Sequence, residues 1–544
     1  MGGDMFHQLL TPVGGSLALS ALVALLPIAT VLVVLGVLRR PAWQAALLGL
    51  LVALGIAVTL WHMPANLAIA SALNGAIFAL WPVMWIVVNA LLLYNIAVAS
   101  GRFDAFREWV ITRLPNDRRV ILIVIGFCFG ALLEGIAGFG TPVAITASLL
   151  IMVGFSAFDA LVFVLIFDTT PVAFGALGAP VTVLAAVTGL PAPALGAMIG
   201  RQLPFMAAFL PFYVMVLYGG FRSIRALWPM LFIAGVSFGV AQFAGSNYLD
   251  YTLTDVFAAL GSLIVTVLFL QVWRPAEDAE FRINRAVDVS PSISQGISPW
   301  QGWTPWVLVS VTVILWTTFK VAQVGQLNIP WPGLDKMVAI TLYHDKPYAA
   351  VWAFQPLGTG TAILLAALVT AVLVRLSPSE FMRCVSRTIS QIWVAVVTVM
   401  LVLALAYVMN YGGMAYTLGL AAASSGRAFI LLSPFLGWVA VFLSGSDTSG
   451  NALFGNLQVV AARQLGLNPL LFAATNSSGG VLAKMISPQN LATGISVTNL
   501  KGQEGAILAR TLVHSIVLTL VLVVIVVIEQ YLVPGIIPVY AGGP

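Results

Sequence analysis

Charged side chains are scarce in this sequence. Asp, Glu, Lys and Arg make up 8% of the 544 residues, hydrophobic residues make up 60%, and the mean hydropathy is +1.02. A water-soluble domain of this length carries far more surface charge, so the composition excludes that class. The chain is therefore predicted to be a polytopic membrane protein built from spanning helices of about 20 apolar residues each.

Cysteine and catalytic motifs are equally rare. Only Cys128 and Cys384 are present, and neither has neighbours at the spacing of a metal site or a disulfide framework. The sequence has no G-x-x-x-x-G-K-[ST] phosphate loop, no H-E-x-x-H and no G-x-S-x-G. We therefore expect no enzyme activity, no cofactor and no metal, and a membrane enzyme is the weaker alternative.

The basic residues do not form a patch. The net charge is +5 and the isoelectric point is about 9.3, but Lys and Arg occur singly between apolar runs, so we expect no nucleic-acid partner. Most of the 24 Lys and Arg residues fall on one side of the lipid bilayer if the N-terminus lies outside. Because basic residues favour the cytoplasmic side, the sequence predicts a multi-pass protein with both termini outside.

Apolar runs between breaking residues define the spans. Twelve such runs predict spanning helices. They lie near residues 15–38, 43–61, 66–98, 158–190, 194–219, 227–245, 251–273, 304–324, 350–374, 389–410, 468–495 and 506–532. Two further runs, 120–155 and 427–466, are each split near the centre. Each arm has roughly 15 to 20 residues, enough to reach the middle of a bilayer, so both runs are predicted to be re-entrant hairpins.

Each hairpin is split by a Gly-rich segment around an acidic residue. Glu134 occupies the first segment and Asp447 the second. Non-helical backbone and a carboxylate are tolerated at membrane depth only where protein or a water-filled cavity surrounds them. Two such segments predict a solute or ion pathway, which is typical of a transporter.

Two of the spans are also broken, in corresponding positions after the hairpins. The span 158–190 contains the segment 168–180, and the span 468–495 contains the segment 476–490. Paired broken helices of this kind indicate the binding site of a secondary transporter. Spanning helices, helical hairpins and broken helices together predict an all-α fold.

The organisation is that of two inverted-topology repeats. The first hairpin is predicted to enter from the cytoplasm and the second from outside. The halves are 1–273 and 304–544, and a flexible cytoplasmic linker, 274–303, is predicted between them. Gly101 and Gly413 open an interfacial stretch before each hairpin, which supports the repeat. The outer loop 325–349 is a candidate cap over an outer vestibule.

Three acidic residues are placed deep in the membrane: Glu134, Asp168 and Asp447. A charge at the centre of a spanning helix costs about 2.5–3.5 kcal/mol on insertion scales, so three idle charges would cost on the order of 8–10 kcal/mol. Because an apolar environment favours the neutral form of a carboxylate, these groups can take up and release a proton. They are the predicted proton-coupling residues. The alternative is that they cap helix ends or pair with one another.

Helix starts in both hairpins offer anion sites. In the first hairpin, Thr141 before Pro142 resembles an N-cap and lies next to Gly138 and Gly140. In the second hairpin, the stretch 449–451 is predicted to start a helix. Helix N-termini present free N–H groups and a positive dipole end, which suit a small carboxylate. An ordinary cap without a ligand is the alternative.

Hydroxyl, amide and ammonium groups cluster in the same segments. We assign them as substrate-binding candidates, although such groups also satisfy freed backbone atoms. They are Thr169, Thr170, Ser444, Ser446, Thr448, Ser449, Asn451, Asn476, Ser477, Ser478, Lys484 and Gln489. Lys484 is expected to pair with the substrate carboxylate or with Asp447, and the alternative is that it snorkels to the interface.

Several of these stretches together resemble one family over nearly the full length. They are 126–147, 171–176, 200–205, 433–438, 445–448 with 451–454, and 485–489. On these motifs the chain resembles the bacterial lactate permease family. The resemblance implies proton-coupled import of L-lactate, and of D-lactate and glycolate, across the bacterial inner membrane.

The chain departs from the family pattern at three positions. The family more usually has Asn at Asp168, which weakens a proton role for that residue, and Ser is common at Gly450 and Asn490. The substrate range within short 2-hydroxymonocarboxylates stays open. Sodium coupling is the alternative mechanism, because the oxygens of the second hairpin could bind Na⁺. A non-transporting membrane sensor subunit is the alternative class.

Overall fold

A computed structural model describes residues 5–136, 141–283, 297–498, 500 and 502–540 of the chain. Within these ranges nearly all regular structure is helical. The helices up to residue 272 are α1 (Leu17–Gly36), α2 (Ala42–Thr59), α3 (Ala65–Phe78), α4 (Trp85–Ala99), α5 (Arg102–Thr112), α6 (Arg118–Ile121), α7 (Gly130–Ile136), α8 (Thr141–Met152), α9 (Ala157–Phe167), α10 (Gly175–Thr188), α11 (Ala192–Tyr248) and α12 (Thr254–Val272).

The helices of the second half follow a similar series. They are α13 (Thr304–Thr318), α14 (Thr359–Leu373), α15 (Pro378–Gly412), α16 (Met414–Ala423), α17 (Phe429–Ser444), α18 (Asp447–Gln464), α19 (Pro469–Ala483), α20 (Pro488–Thr498) and α21 (Glu504–Tyr531). Two π-helical stretches, Ala79–Met84 and Leu122–Phe129, join α3 to α4 and α6 to α7. The prediction of an all-α polytopic membrane protein is confirmed.

The order of elements repeats between the halves. A 35-residue apolar helical stretch, Ala65–Ala99 or Pro378–Gly412, is followed in each half by a short helix, a hairpin and a broken span. Gly101 and Gly413 stand at the start of the two short helices, both with positive φ, +70° and +98°. A positive φ is readily adopted only by glycine, so the chain can turn sharply at these two points. The order is consistent with the predicted repeats, and their inverted relation stays a prediction.

Fewer helices reach spanning length than the twelve predicted. Among the described residues, nine are long and apolar enough to cross a bilayer, or ten if the bent pair Ala157–Phe167 and Val172–Thr188 is one span. Helix α11 covers two predicted spans, 194–219 and 227–245, and its backbone departs from helical geometry at Gly220 between them. Helices α13 and α14 have only 15 residues each, which is short for a span.

The arms of each predicted hairpin pack against each other, although the turn of the first, 137–140, lies outside the described residues. Their insertion into the membrane as re-entrant hairpins stays a prediction. The first comprises Arg118–Ile136 and α8, and the second comprises α17 and α18. The second turns at Gly445, whose φ of +70° ends α17 in a left-handed conformation. Ser446 then caps α18 by accepting a hydrogen bond from the backbone N–H of Ser449. The prediction that this helix starts at 449–451 was therefore wrong by one turn, because Ser446 provides the cap.

Both predicted breaks are also present. Between α9 and α10 the axis bends by 62°, and Ala176 and Leu177 adopt left-handed conformations that are uncommon for residues other than glycine. Between α19 and α20 a single 3-10 turn, Lys484–Ile486, precedes Pro488. The extended conformation of Ser487 fits the restriction that proline places on the preceding residue.

Short strands lie outside the helical bundle. Strands β1 (Phe6–His7), β3 (Val338–Ile340) and β4 (Lys346–Pro347) form one small sheet, in which β1 and β3 are parallel. Strands β2 (Leu327–Pro330) and β5 (Val351–Phe354) form an antiparallel pair. The loop 325–349 is thus structured and joined to the N-terminal segment, and its role as a cap stays a prediction.

The described ends of the connection between the halves make specific contacts, which the expectation of a flexible linker did not include. Asp278 forms ion pairs with the buried Arg119 (3.6 Å) and with Arg222 (2.9 Å). The Phe281 ring lies under the Arg119 guanidinium, 4.4 Å from ring centroid to Cζ. Residues 278–281 therefore pack on the start of the first hairpin, while 284–296 lie outside the described residues.

Candidate functional site

Four interruptions of the helical backbone meet around one cavity. The tips of the two hairpins and the breaks of the two broken spans contribute its walls, and its volume is about 40 Å³. Its polar and charged lining includes Glu134, Ser446, Asp447, Thr448, Lys484 and Gln489. The apolar wall comes from residues 172–180 of the first break. Glu134 and Asp447, from the two hairpins, therefore line one common cavity.

Lys484 is the centre of a buried ion-pair cluster. Its Nζ lies 2.6 Å from Oε1 of Glu134 and 3.2 Å from Oδ2 of Asp168. All three side chains are buried. The expected pairing of Lys484 was with the substrate or with Asp447, and the structure instead pairs it with two carboxylates of the first half. An ammonium so deep in the protein cannot snorkel to an interface, which excludes that alternative.

The helix ends explain where these charges fall. Lys484 follows the last residue of α19, where the negative end of the helix dipole favours a cation. Asp168 follows the last residue of α9, where the same dipole end disfavours an anion. Asp168 therefore depends on Lys484 for its counter-charge, and the pair ties the break of the first half to the break of the second.

Asp447 lies on the other side of the cavity in a network without a cation. It is the first residue of α18, where the positive end of the helix dipole favours a carboxylate. Its Oδ2 accepts hydrogen bonds from the Ser477 hydroxyl (2.6 Å) and from Nδ2 of Asn451 (3.2 Å). Its Oδ1 is buried and has no partner among the described residues. One carboxylate oxygen is thus held in place and the other is free to bind a proton.

Consecutive residues of α19 connect this network to two neighbouring helices. Asn476 donates to Oδ1 of Asn451 (3.0 Å), Ser477 donates to Asp447, and Ser478 donates to Oε1 of Gln202 on α11 (2.7 Å). All of these side chains are buried. The predicted cluster 476–478 therefore fixes the position of α19 beside Asp447, and only Ser477 contacts that carboxylate directly.

Three other predicted binding residues donate hydrogen bonds to the backbone, and their role as substrate contacts stays a prediction. The hydroxyls of Thr169 and Thr170 donate to the carbonyls of Ile166 and Phe167 at the end of α9, which also accept long bonds (3.3 Å) from the backbone N–H groups of the same two threonines. Ser444 donates to the carbonyl of Ala440 in the last turn of α17. These three hydroxyls fit the alternative that polar residues at a break satisfy freed carbonyl groups.

Three predicted substrate contacts cannot be placed. Gly138 and Gly140 lie outside the described residues. Helix α8 begins at Thr141 as expected, but its side chain is likewise outside the described part of the chain. Of the described residues of the first hairpin, only Glu134 lines the cavity.

Among the described residues, sequence reasoning missed two buried carboxylates that have no ion-pair partner. Asp255, in the first turn of α12, is 0% exposed, and Glu529, near the end of α21, is 2% exposed. Glu529 Oε2 accepts a hydrogen bond from Nε2 of Gln202 (2.9 Å), which also donates to Thr475 Oγ1 (3.1 Å). Both acids stand near the ends of predicted spans, where a charge looks like an ordinary interfacial residue. The sequence signal that could have identified them was a Gln, Asp or Glu that lies within the bounds of a predicted span.

A family model described as L-lactate permease matches residues 20–533. The chain is 40% identical to the L-lactate permease of Escherichia coli strain K12, over 96% of this chain and 98% of that protein. It is 40% identical to the glycolate permease GlcA of the same strain, over 97% and 98% of the two chains. It is 38% identical to the L-lactate permease of Bacillus subtilis strain 168, over 98% and 99%.

Solved structures similar to the chain include two transporters. The YdaH transporter of Alcanivorax borkumensis gives a TM-score of 0.44 at 15% identity, over 84% of this chain and 86% of that one. MtrF of Neisseria gonorrhoeae gives a TM-score of 0.43 at 14% identity, over 84% and 83%. The family model and the relatives of about 40% identity each extend over nearly the whole sequence, and on that basis the chain belongs to the L-lactate permease family.

Proposed function

We propose that this protein is a secondary active transporter that imports L-lactate, D-lactate and glycolate together with protons across the bacterial inner membrane. The names of the relatives support this substrate class. The observation that carries the proposal is the pairing of Lys484 with Glu134 and Asp168 at a cavity bounded by all four backbone interruptions. Transport and not catalysis is the activity that such a site serves.

The charges at the cavity support the proposal that protons bind with the substrate. Glu134, Asp168 and Asp447 supply three carboxylates, and Lys484 supplies one ammonium. Lactate is itself an anion at neutral pH, so its entry adds negative charge to a buried site that already has an excess. Desolvated like charges repel strongly, and a bound proton on one carboxylate removes part of this cost.

The Lys484 pairs explain how a proton prepares the site. When Glu134 takes up a proton, its ion pair with Lys484 is lost and the ammonium is free to bind the carboxylate of the substrate. Ser446, Thr448 and Gln489 line the same cavity and are the groups we assign to the 2-hydroxyl. Loss of the proton restores the pair with Glu134 and expels the anion. Binding of the proton and of lactate are thereby coupled.

Asp447 is the second proposed proton-coupling residue, and Asp168 the third. The free Oδ1 of Asp447 accepts the proton while Ser477 and Asn451 hold Oδ2. We assign the two hairpins to opposite faces of the membrane, so that water from either side reaches the cavity in turn. Both termini are placed outside, which fusions of a topology reporter to residues 5 and 540 would test.

Uptake of labelled L-lactate into proteoliposomes tests the proposal. A pH gradient, acid outside, should drive accumulation without Na⁺, and an Na⁺ gradient at equal pH should not. Accumulation with the Na⁺ gradient alone would favour the sodium-coupled alternative. Competition by unlabelled glycolate, pyruvate and succinate defines the specificity: glycolate should compete strongly and the dicarboxylate succinate should not.

Conservative variants test the proposed proton-coupling residues. Glu134→Gln and Asp447→Asn keep the shape of each side chain but cannot carry the proton. Each should abolish accumulation driven by the pH gradient. If both variants accumulate lactate as the wild type does, the proposed proton-coupling roles of the two carboxylates are wrong. If the wild type itself accumulates no lactate, the non-transporting sensor subunit is favoured.

A further inference from the structure

Asp255 is a buried carboxylate that the proposed cycle does not yet use. It is 0% exposed, and neither of its oxygens has a hydrogen-bond partner among the described residues. It lies in the first turn of α12, which packs directly against the first hairpin: a Cβ built on Gly135 would lie 2.8 Å from Cβ of Asp255. Asp255 is therefore next to the residue that follows Glu134.

The charged groups acting on Asp255 are Glu134, Lys484 and Asp168. Two other titratable groups on elements packed against α12 have partners of their own: Cys128 Sγ lies 3.2 Å from Ser262 Oγ, and the Tyr251 hydroxyl lies 3.1 Å from Thr182 Oγ1. Lys484 already pairs with two carboxylates. A third buried carboxylate beside a single ammonium is strongly disfavoured in its ionised form, so Asp255 is best accommodated when it holds a proton.

Glu134 has an oxygen available to receive that proton. Its Oε1 accepts the hydrogen bond from Lys484, while its Oε2 is buried with no partner in the described part of the chain. We propose that Asp255 is a further proton-carrying residue of this transporter and that it delivers its proton to Oε2 of Glu134. This inference rests on the proposed proton coupling and adds a donor to it.

The transfer balances without any further reactant. The O–H bond of the Asp255 carboxylic acid breaks, an O–H bond forms on Glu134, and the negative charge moves from Glu134 to Asp255. Lys484 then loses one anionic partner and can bind the substrate carboxylate. Asp255 regains a proton from water when the cavity opens to the side of higher proton concentration.

The Asp255→Asn variant tests the inference, because Asn keeps the size of the side chain but cannot donate an acidic proton. Net uptake driven by a pH gradient should fall by about 100-fold, the scale on which a positioned proton donor acts. Exchange of internal for external lactate at equal pH needs no net proton transfer and should stay close to the wild-type rate. A residue with only a structural role would lower both rates together.

Ser262→Ala is the matched control on the same helix. Its hydroxyl is buried, donates to the carbonyl of Ala234 and lies outside the cavity, so the variant perturbs α12 without removing a proton carrier. Both its net uptake and its exchange should match the wild type. Asp255→Glu, which keeps an acid at this position, should recover part of the net uptake, and a result equal to that of Asp255→Asn would overturn the inference.

Infrared spectroscopy of the purified protein gives a readout that does not depend on transport. The carbonyl stretching band of a protonated carboxylic acid should be present in the wild type and weaker in Asp255→Asn. An unchanged band, or net uptake at the wild-type rate, contradicts the role of Asp255. If the wild type itself shows no uptake driven by a pH gradient, the proposed proton symport fails, and the infrared band still decides whether Asp255 holds a proton.

Discussion

Lys484 and Glu134 are 350 residues apart in the sequence, yet Nζ of the lysine lies 2.6 Å from Oε1 of the glutamate. The glutamate belongs to the tip of the first hairpin and the lysine to the break of the second half. This contact between residues far apart in the sequence is buried inside the protein and joins the two halves at the cavity. Substitutions of the pair are therefore expected to affect the fold and the transport step together.

The Lys484→Met variant should abolish uptake and lower stability. It leaves Glu134 and Asp168 buried without a counter-charge, and removing one partner of a buried ion pair costs about 3–5 kcal/mol. Thermal unfolding of the purified protein and labelled lactate uptake measure the two effects. Adding Glu134→Gln to Lys484→Met should restore part of the stability and none of the transport. An additive loss of stability in the double variant would mean that the two residues are not coupled.

Ser477→Ala should slow uptake and lower stability. The variant removes the 2.6 Å hydrogen bond to Oδ2 of Asp447, and a hydrogen bond to a charged group contributes about 1.5–3 kcal/mol. We expect uptake to fall by roughly 10-fold or more, which corresponds to about 1.4 kcal/mol. Ser433→Ala is the control, because Ser433 is also buried and donates to Gln458 (2.8 Å) without touching Asp447. Equal effects of the two variants would count against a special role for Ser477.

Gly445→Ala should disturb the tip of the second hairpin. Its φ of +70° disfavours alanine by about 1–2 kcal/mol, and the new methyl group would lie 2.8 Å from Cβ of Gln489. Gly466→Ala carries the same type of backbone strain, at φ +66°, with no atom within 4 Å of the new methyl group. The difference in lactate KM between the two variants isolates the contact with Gln489. We expect a raised KM for Gly445→Ala only.

Arg119 and Arg222 both contact Asp278, but their substitutions should differ in effect. Arg119→Leu removes a fully buried charge that also pairs with Asp117 (2.7 Å), so we expect a destabilisation of about 3–5 kcal/mol. Arg222→Leu removes a side chain that is 72% exposed, and an exposed ion pair contributes about 0–1 kcal/mol. Thermal unfolding measures both. Similar losses of stability in the two variants would show that the exposed ion pair between Arg222 and Asp278 contributes more to stability than its exposure indicates.

Composition and broken apolar runs were sufficient to predict much of the site. The Gly-rich segments around Glu134 and Asp447 and the polar segments around Asp168 and Lys484 were identified because charge and non-helical backbone are both rare within a membrane. Their meeting at one cavity follows from the paired positions of the breaks. The partner of Lys484 could not be predicted from the sequence, because sequence spacing does not tell which of three carboxylates lies next to a given ammonium.

Asp255 and Gln202 show why the rest could not be predicted. Each stands near the end of a predicted span, where a polar residue is usually an interfacial residue in contact with water. Asp255 is buried because the tip of the first hairpin reaches the first turn of α12, a long-range contact made at Gly135. Thr169, Thr170 and Ser444 donate to backbone carbonyls, which the sequence did not distinguish from substrate binding, since a hydroxyl at a break has the same sequence signature in both cases.

The pairing of Lys484 with two carboxylates affects how well the cell keeps its proton gradient. In a proton symporter, a proton that crossed without its cargo would dissipate the gradient that other transporters use. With the cavity empty, two carboxylates neutralise Lys484, and the hairpin of one half stays fastened to the break of the other. In the proposed cycle, protonation of Glu134 alone still leaves the ion pair between Lys484 and Asp168, which joins the two halves. The carrier then resists switching sides until lactate binds, and little of the proton gradient is lost.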